Sequence, residues 1–286
     1  MLELLLSIAL TQPLSGSVST EPFLKQESIN ELQLKLSPLA KSSDTNIQIP
    51  AKSYLAIDVA NNNILFEKDS NIELPMASLT KIMTALIILE NHKLNEVVQV
   101  SKEATQVEGS KIWLLQNERM TVENLLKALL IKSGNDAALA LSEYHSGTTE
   151  LFIQEMNKRA QELGMKHTNF KNPHGLDDDN HYSSAKDILS LTQKALNFPF
   201  FQTTVNTKET TIESLSYIPR KIINTNSLLG KNVHGVKTGT TQNAGQCLVL
   251  LVTQGKKEIL TIVLGSTQRF TDSEKFIQSI WKNVKW

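Results

Sequence analysis

The sequence predicts an α/β protein of the α+β kind, an antiparallel sheet built from both chain ends and flanked by helices, with an all-helical subdomain between. Three observations lead there. Short apolar runs bracket a polar turn near residue 62, the same form recurs near residue 255, and the apolar spacing between these hairpins widens from two to about 3.6.

The first hairpin is SYLAIDVANNNILFEKD, where Asn61, Asn62 and Asn63 tolerate the dihedrals of a tight turn. In TVENLLKALLIKSG, Val122, Leu125, Leu126, Leu129 and Leu130 make one helical face, and Thr121 is placed to cap its start. TELFIQEMNKRAQELG reads as a second helix with Gly164 as its C′ residue, and SSAKDILSLTQKALN as a third, capped by Ser183 or Ser184. GQCLVLLVTQGKKEILTIVLGS forms the second hairpin, turning at Gln254-Gly255-Lys256, and Phe276, Ile277, Ile280, Trp281 and Val284 give the last helix its apolar face.

The 286 residues are 40 % hydrophobic, enough for a buried core. Lys+Arg and Asp+Glu balance at 29 each, which argues against nucleic acid or an acidic membrane surface as the main partner. Cys247 stands alone, so no internal disulfide and no thiolate metal cluster can form; it reads as a small buried hydrophobe. Residues 1–19 resemble a secretory leader, with an apolar stretch from Leu4 to Leu10, although no Lys or Arg precedes Lys25. Residues 20–50, mixing charges with Ser, Asn and Pro, read as a linker or arm, and the folded domain is expected over 51–286.

Chemistry concentrates in three short segments. Ser78-Leu79-Thr80-Lys81 opens a helical run, so the Lys81 amine and the Ser78 hydroxyl share a face one turn apart, near the positive end of the helix dipole. A desolvated lysine near a second cation loses its proton and can act as base towards the serine. The S-x-x-K pattern alone is weak evidence, since it also occurs at Ser183 to Lys186 and Ser279 to Lys282. Ser133-Gly134-Asn135 adds a hydroxyl and an amide in a connection between helices. Lys237-Thr238-Gly239, at the entrance to the second hairpin, joins a cation and a hydroxyl able to bind a carboxylate to a glycine that lets a ligand backbone approach the strand.

Together and in this order, the three segments resemble the penicillin-binding proteins and serine β-lactamases. PMASLTKIMTAL, IKSGNDAALAL, NPHGLDDDNHYSSAKDI and GVKTGTTQNAGQCLV narrow the resemblance to the S11 D-alanyl-D-alanine carboxypeptidases. The resemblance implies a β-lactamase/transpeptidase-like fold over 51–286 and an extracytoplasmic enzyme acting on peptidoglycan stem peptides, with no metal or cofactor. It implies Ser78 as nucleophile, Lys81 as its base and Ser133 as a proton relay. Asn135, Lys237, Thr238 and Gly239 would bind substrate, and the backbone N–H groups of Ser78 and Thr240 would form the oxyanion hole. β-Lactams would acylate Ser78. Class A β-lactamases carry a Glu-x-x-x-Asn loop that LGMKHTNFKNPHGLDDDN lacks, so rapid β-lactam hydrolysis is not expected. Longer relatives add a C-terminal β-rich domain and an anchor helix; this sequence closes with Trp281 to Trp286, so neither that domain nor a C-terminal membrane anchor is expected.

Three further groups read as structural. His174, Asp177, Asp178, Asp179 and His181 lack helical metal-ligand spacing and read as a polar loop. Trp113, beside Leu114 and Leu115, is expected in the core. Glu103 and Glu108 are expected on the surface.

Overall fold

The computed structural model describes residues 39–40, 48–230 and 232–286. All of them fall in the compact unit Pro38–Trp286. The leader-like segment 1–19 and most of the 20–50 arm lie outside the described residues.

Strands Ser53–Asp58 and Ile64–Lys68 form the first hairpin, and Gly245–Gln254 and Lys257–Ser266 the second. They join one five-stranded antiparallel sheet in the spatial order Ile64–Lys68, Ser53–Asp58, Lys257–Ser266, Gly245–Gln254, Lys237–Thr241. The two chain ends meet in its middle, with Leu260 opposite Ile57 and Ile262 opposite Leu55. Successive side chains on a strand point to opposite faces, and here both faces are covered. Leu55, Ile57, Val249 and Ile262 pack into the core beneath the helical part, whereas Tyr54, Ala56, Leu250 and Val263 pack against Phe276 and Ile280 of the Arg269–Asn283 helix. Burial on both faces accounts for runs such as LVLLV, which do not alternate.

The Lys81–Asn91 helix has an apolar stripe all round, and residues 81–88 are buried without exception. A helix of that kind belongs at the centre of a domain. Behind it lie Asn135–Ser146, Thr149–Glu162 and Ala185–Leu196; Ser184 caps the last, one of the two serines expected there, accepting from the Asp187 N–H, and Thr148 caps the second by accepting from the Leu151 N–H. Gly164 follows the Thr149–Glu162 helix with φ +71°, a left-handed exit suited to glycine.

One helix departs from the periodicity. Thr121 caps Val122–Lys127, but Ala128–Lys132 then widens into a π-helical turn that ends at Ser133 in the left-handed region, φ 63° and ψ 35°. The five apolar residues that predict the helix remain buried, so the packing face is kept while the backbone is re-aimed.

The loop between the Lys102–Gln106 helix and Arg119 corrects one expectation. Trp113 is 74 % exposed, not in the core, and Leu115 is exposed beside it, while Ile112 and Leu114 are buried. The cause is the buried Asp136 carboxylate, which accepts from the N–H groups of Ile112 and Leu114 and draws that backbone inward. Trp113, between them at φ +63°, is turned outward. The loop is fastened a second time by Arg220, which donates to the Ile112 and Trp113 carbonyls and makes a two-pronged pair with Glu118 at 2.7 and 2.8 Å. Cys247 is fully buried, and Glu103 and Glu108 are exposed, as expected. No described helix is long and apolar enough to cross a membrane.

Removing one member of the Glu118–Arg220 pair leaves a mostly buried charge without its partner. Glu118→Ala is expected to lower stability by about 3–5 kcal/mol, read by urea denaturation, and Glu118→Gln by less because it keeps an acceptor.

Candidate active site

Ser78 lies in a 3₁₀ turn, Ala77–Thr80, that leads directly into the Lys81–Asn91 helix. The turn sits against the Lys237–Thr241 strand at the edge of the sheet, and two glycines permit the approach. A Cβ on Gly239 would stand 3.0 Å from the Met76 carbonyl and 3.1 Å from the Ser78 nitrogen. One on Gly175, which has φ +89°, would stand 2.0 Å from the Ala77 carbonyl oxygen and 2.9 Å from the same nitrogen. The Ala77–Ser78 peptide is thus held between two bare backbones.

Lys81 is completely buried. Its Nζ lies 2.9 Å from Ser78 Oγ, 2.7 Å from Asn135 Oδ1 and 2.5 Å from the His174 carbonyl oxygen. Burial first, then the Lys237 charge, holds its pKa well below the ordinary lysine range; Asp136 opposes the shift. A neutral amine has two protons and one lone pair. Asn135 Oδ1 and the His174 carbonyl can only accept, so they take both protons and the lone pair faces the Ser78 hydroxyl. The amine is thereby oriented as a base towards Ser78.

Asn135 is itself fixed, its Nδ2 donating to the Glu108 carbonyl at 2.6 Å. Ser133, delivered by the π-helical turn, accepts from Lys237 Nζ at 2.9 Å, and Lys237 also donates to the Thr238 carbonyl at 3.0 Å. Lys237 is only 1 % exposed, so its charge acts first on Ser133 and Lys81. Burial and the Arg269 guanidinium lower its pKa to about 7. Thr238 Oγ1 is 2.6 Å from Thr225 Oγ1. Thr240 is exposed at the sheet edge.

Every residue singled out in the three segments therefore converges on one region. Sequence reading missed four contributors. Arg269 donates through Nη1 to the Gly239 carbonyl at 3.0 Å and to Thr240 Oγ1, setting a half-buried cation beside the strand edge. It follows Gly239 by 30 residues with no local motif to mark it. His174 contributes a carbonyl, which no side-chain pattern reveals, and Gly175 contributes the absence of a side chain. Asp136 carries no visible signal beyond being an acid at the start of an apolar helix. His181 is buried and His174 partly so; burial lowers their pKa values to about 4 and about 3, with an opposing Asp177 the second cause for His181 and Lys81 the second for His174.

Residues 39–268 match the peptidase S11 family, described as D-alanyl-D-alanine carboxypeptidase. The chain belongs to this family. The D-alanyl-D-alanine carboxypeptidase DacF of Bacillus subtilis is 38 % identical over 76 % of this S11 chain and 58 % of its own length. The corresponding values for DacC of Escherichia coli are 35 %, 84 % and 64 %. The chain thus spans about three fifths of the length of these relatives. A D-alanyl-D-alanine endopeptidase of Pseudomonas aeruginosa is 28 % identical over 78 % of the chain and 74 % of its own length. Among solved structures, the Streptomyces K15 DD-transpeptidase superposes with a TM-score of 0.78 at 31 % identity, covering 82 % of this chain and 98 % of that one. The β-lactamase/transpeptidase-like architecture expected from the sequence is the one observed.

Gly175→Ala forces the Ser78 turn aside, because its Cβ meets fixed backbone rather than a movable side chain. Acylation of Ser78 by a penicillin is expected to fall by about 10²-fold, measured by stopped-flow on variants shown by circular dichroism to be folded.

Proposed function

We propose that the chain is a serine-type D-Ala-D-Ala carboxypeptidase that removes the terminal D-alanine from peptidoglycan stem pentapeptides through an acyl-enzyme on Ser78. The reading rests on the neutral Lys81 amine, whose two protons have acceptors and whose lone pair is left for Ser78. Membership of S11 supplies the substrate class.

Ser78 Oγ attacks the carbonyl between the two D-alanines while its proton passes to Lys81. The tetrahedral oxyanion is held by the N–H groups of Ser78 and Thr240. Ser133, its oxygen engaged by Lys237, relays to the departing amine the proton that Lys81 took from Ser78, so that Lys81 is neutral again as the C–N bond breaks and D-alanine leaves. Asn135 orients Lys81 and the substrate amide. Thr238, Thr240 and Arg269 take the terminal carboxylate, with Lys237 behind them, so Arg269 joins the residues expected from sequence. Water then cleaves the ester. Residues 51–286 act as the catalytic domain, and the site of action is the extracytoplasmic wall space where this substrate lies.

A second reading, cleavage of crosslinks between stem peptides, is favoured by the relative named as an endopeptidase. Mass analysis after incubation with a stem pentapeptide and with a crosslinked dimer separates the two. Loss of one D-alanine from the pentapeptide is expected; splitting of the dimer alone would overturn the carboxypeptidase reading. Fluorescent penicillin is expected to label the protein and not Ser78→Ala, and equal labelling of both would remove the nucleophile assignment.

The two lysines set opposite limbs of the pH profile. Lys81 must be neutral, so acylation rises with pH through its lowered pKa; Lys237 must be charged, so acylation falls as pH passes its own value, about 7 in the free protein. Lys237→Arg is expected to move the falling limb to higher pH, since a guanidinium stays charged there, as measured by penicillin acylation rates across pH.

A further inference from the structure

Behind the nucleophile runs a buried hydrogen-bond chain whose protons can be placed in only one way. The Lys171 backbone N–H donates to His181 Nδ1 at 2.9 Å, so Nδ1 carries no proton. Burial keeps the ring neutral, with a pKa of about 4, and its single proton therefore sits on Nε2. Nε2 lies 2.7 Å from Thr80 Oγ1 and donates to it. The Thr80 hydroxyl proton is then committed to the Ala77 carbonyl oxygen, 2.8 Å away. Thr80 is fully buried and His181 nearly so, which keeps the chain of bonds out of contact with bulk solvent.

The chain ends on a significant peptide. The Ala77 carbonyl and the Ser78 N–H are opposite edges of one planar unit, so fixing the oxygen fixes the direction of the N–H. Ala77 has φ +50°, a region that residues with a side chain avoid, so this orientation has to be held from outside. Gly175 and Gly239 supply steric walls, but contact alone does not set the rotation of a peptide plane as a directed hydrogen bond does.

We infer that His181 is a positioning residue for the oxyanion donor: through Thr80 it holds the Ala77–Ser78 peptide so that the Ser78 N–H faces the reacting carbonyl. The inference rests on the reading of Ser78 as nucleophile and of its N–H as an oxyanion contact. The same bond polarises the amide and strengthens the N–H as a donor. This gives the second histidine of NPHGLDDDNHY a role that the polar-loop reading did not supply.

The test uses the full chain and benzylpenicillin. Thr80→Val removes one hydroxyl at nearly constant volume, His181→Ala removes the first donor, and His181→Gln replaces it with an amide donor. The acylation rate constant, the dissociation constant of the non-covalent complex and the infrared carbonyl band of the acyl-enzyme are measured for each. Thr80→Val and His181→Ala are expected to acylate roughly 10- to 100-fold more slowly, below the roughly 10²–10³-fold of losing an oxyanion donor outright. Initial binding should be unchanged, and the acyl carbonyl band should move to higher wavenumber as its hydrogen bond weakens. His181→Gln should recover most of the rate and the band position. An unmoved band in Thr80→Val, whatever its rate or melting temperature, overturns the inference and leaves the pair a purely structural role. Ser78→Ala is run in parallel: persistent acylation there overturns the nucleophile reading, whereas Ser78-dependent acylation with an unmoved band overturns the positioning role alone.

Discussion

The site depends on a buried amine whose hydrogen-bond partners among the described residues are all uncharged. Removing an ammonium group from water is far more costly than removing the neutral amine, so the protein resolves the conflict by releasing the proton. Lys81 is surrounded by a hydroxyl, an amide oxygen and a main-chain carbonyl, and among the described residues no carboxylate hydrogen-bonds to it. Asp136 pulls in the other direction from a distance, but its oxygens are occupied by the N–H groups of Ile112, Leu114 and Ala137. A carboxylate paired directly with Lys81 would stabilise the charge and abolish the base. The three hydrogen-bond partners come from the same turn as Lys81, from the start of the Asn135–Ser146 helix and from the 171–181 loop. The proposed base therefore exists only when three separate parts of the chain have come together.

The same convergence explains the unusual backbone. Ala77 and Ser133 both occupy the left-handed region although each has a side chain, and Ser133 is reached through a π-helical turn. Such conformations are held by their surroundings rather than chosen by the residue. For Ser133 the surroundings include Lys237; for Ala77 they are the glycine walls and the Thr80 hydroxyl. Both strained residues stand beside a hydroxyl with a proposed part in proton movement, and regular helix would direct those hydroxyls elsewhere.

Electrostatics arrange the two lysines differently even though both are buried. Lys81 meets a neighbouring cation, while Lys237 lies between a hydroxyl and a carbonyl with the Arg269 guanidinium further out. In the proposed mechanism one amine accepts a proton while the other stays charged to face a carboxylate. Bound carboxylate favours the charged form of Lys237, which deepens the contrast at the moment it is needed.

Much of this was open to reading along the chain, because local patterns have local causes. Two hairpins, the capped helices and the three segments holding Ser78, Lys81, Ser133, Asn135 and Lys237 follow from periodicity, turn residues and short motifs. What depends on contact between distant segments was not open in that way. Trp113 looks like core by its neighbours, yet Asp136 and Arg220 turn it into solvent by binding the backbone on either side. Arg269 reaches the site from another element, His174 acts through a carbonyl that every residue possesses, and Gly175 acts through a missing Cβ. The sequence by itself determined which elements form and which side chains can react. Only the tertiary structure decided that Lys81 is buried among acceptors and that the Ala77–Ser78 peptide is pinned, because desolvation and hydrogen-bond direction belong to the packed assembly and not to any one segment.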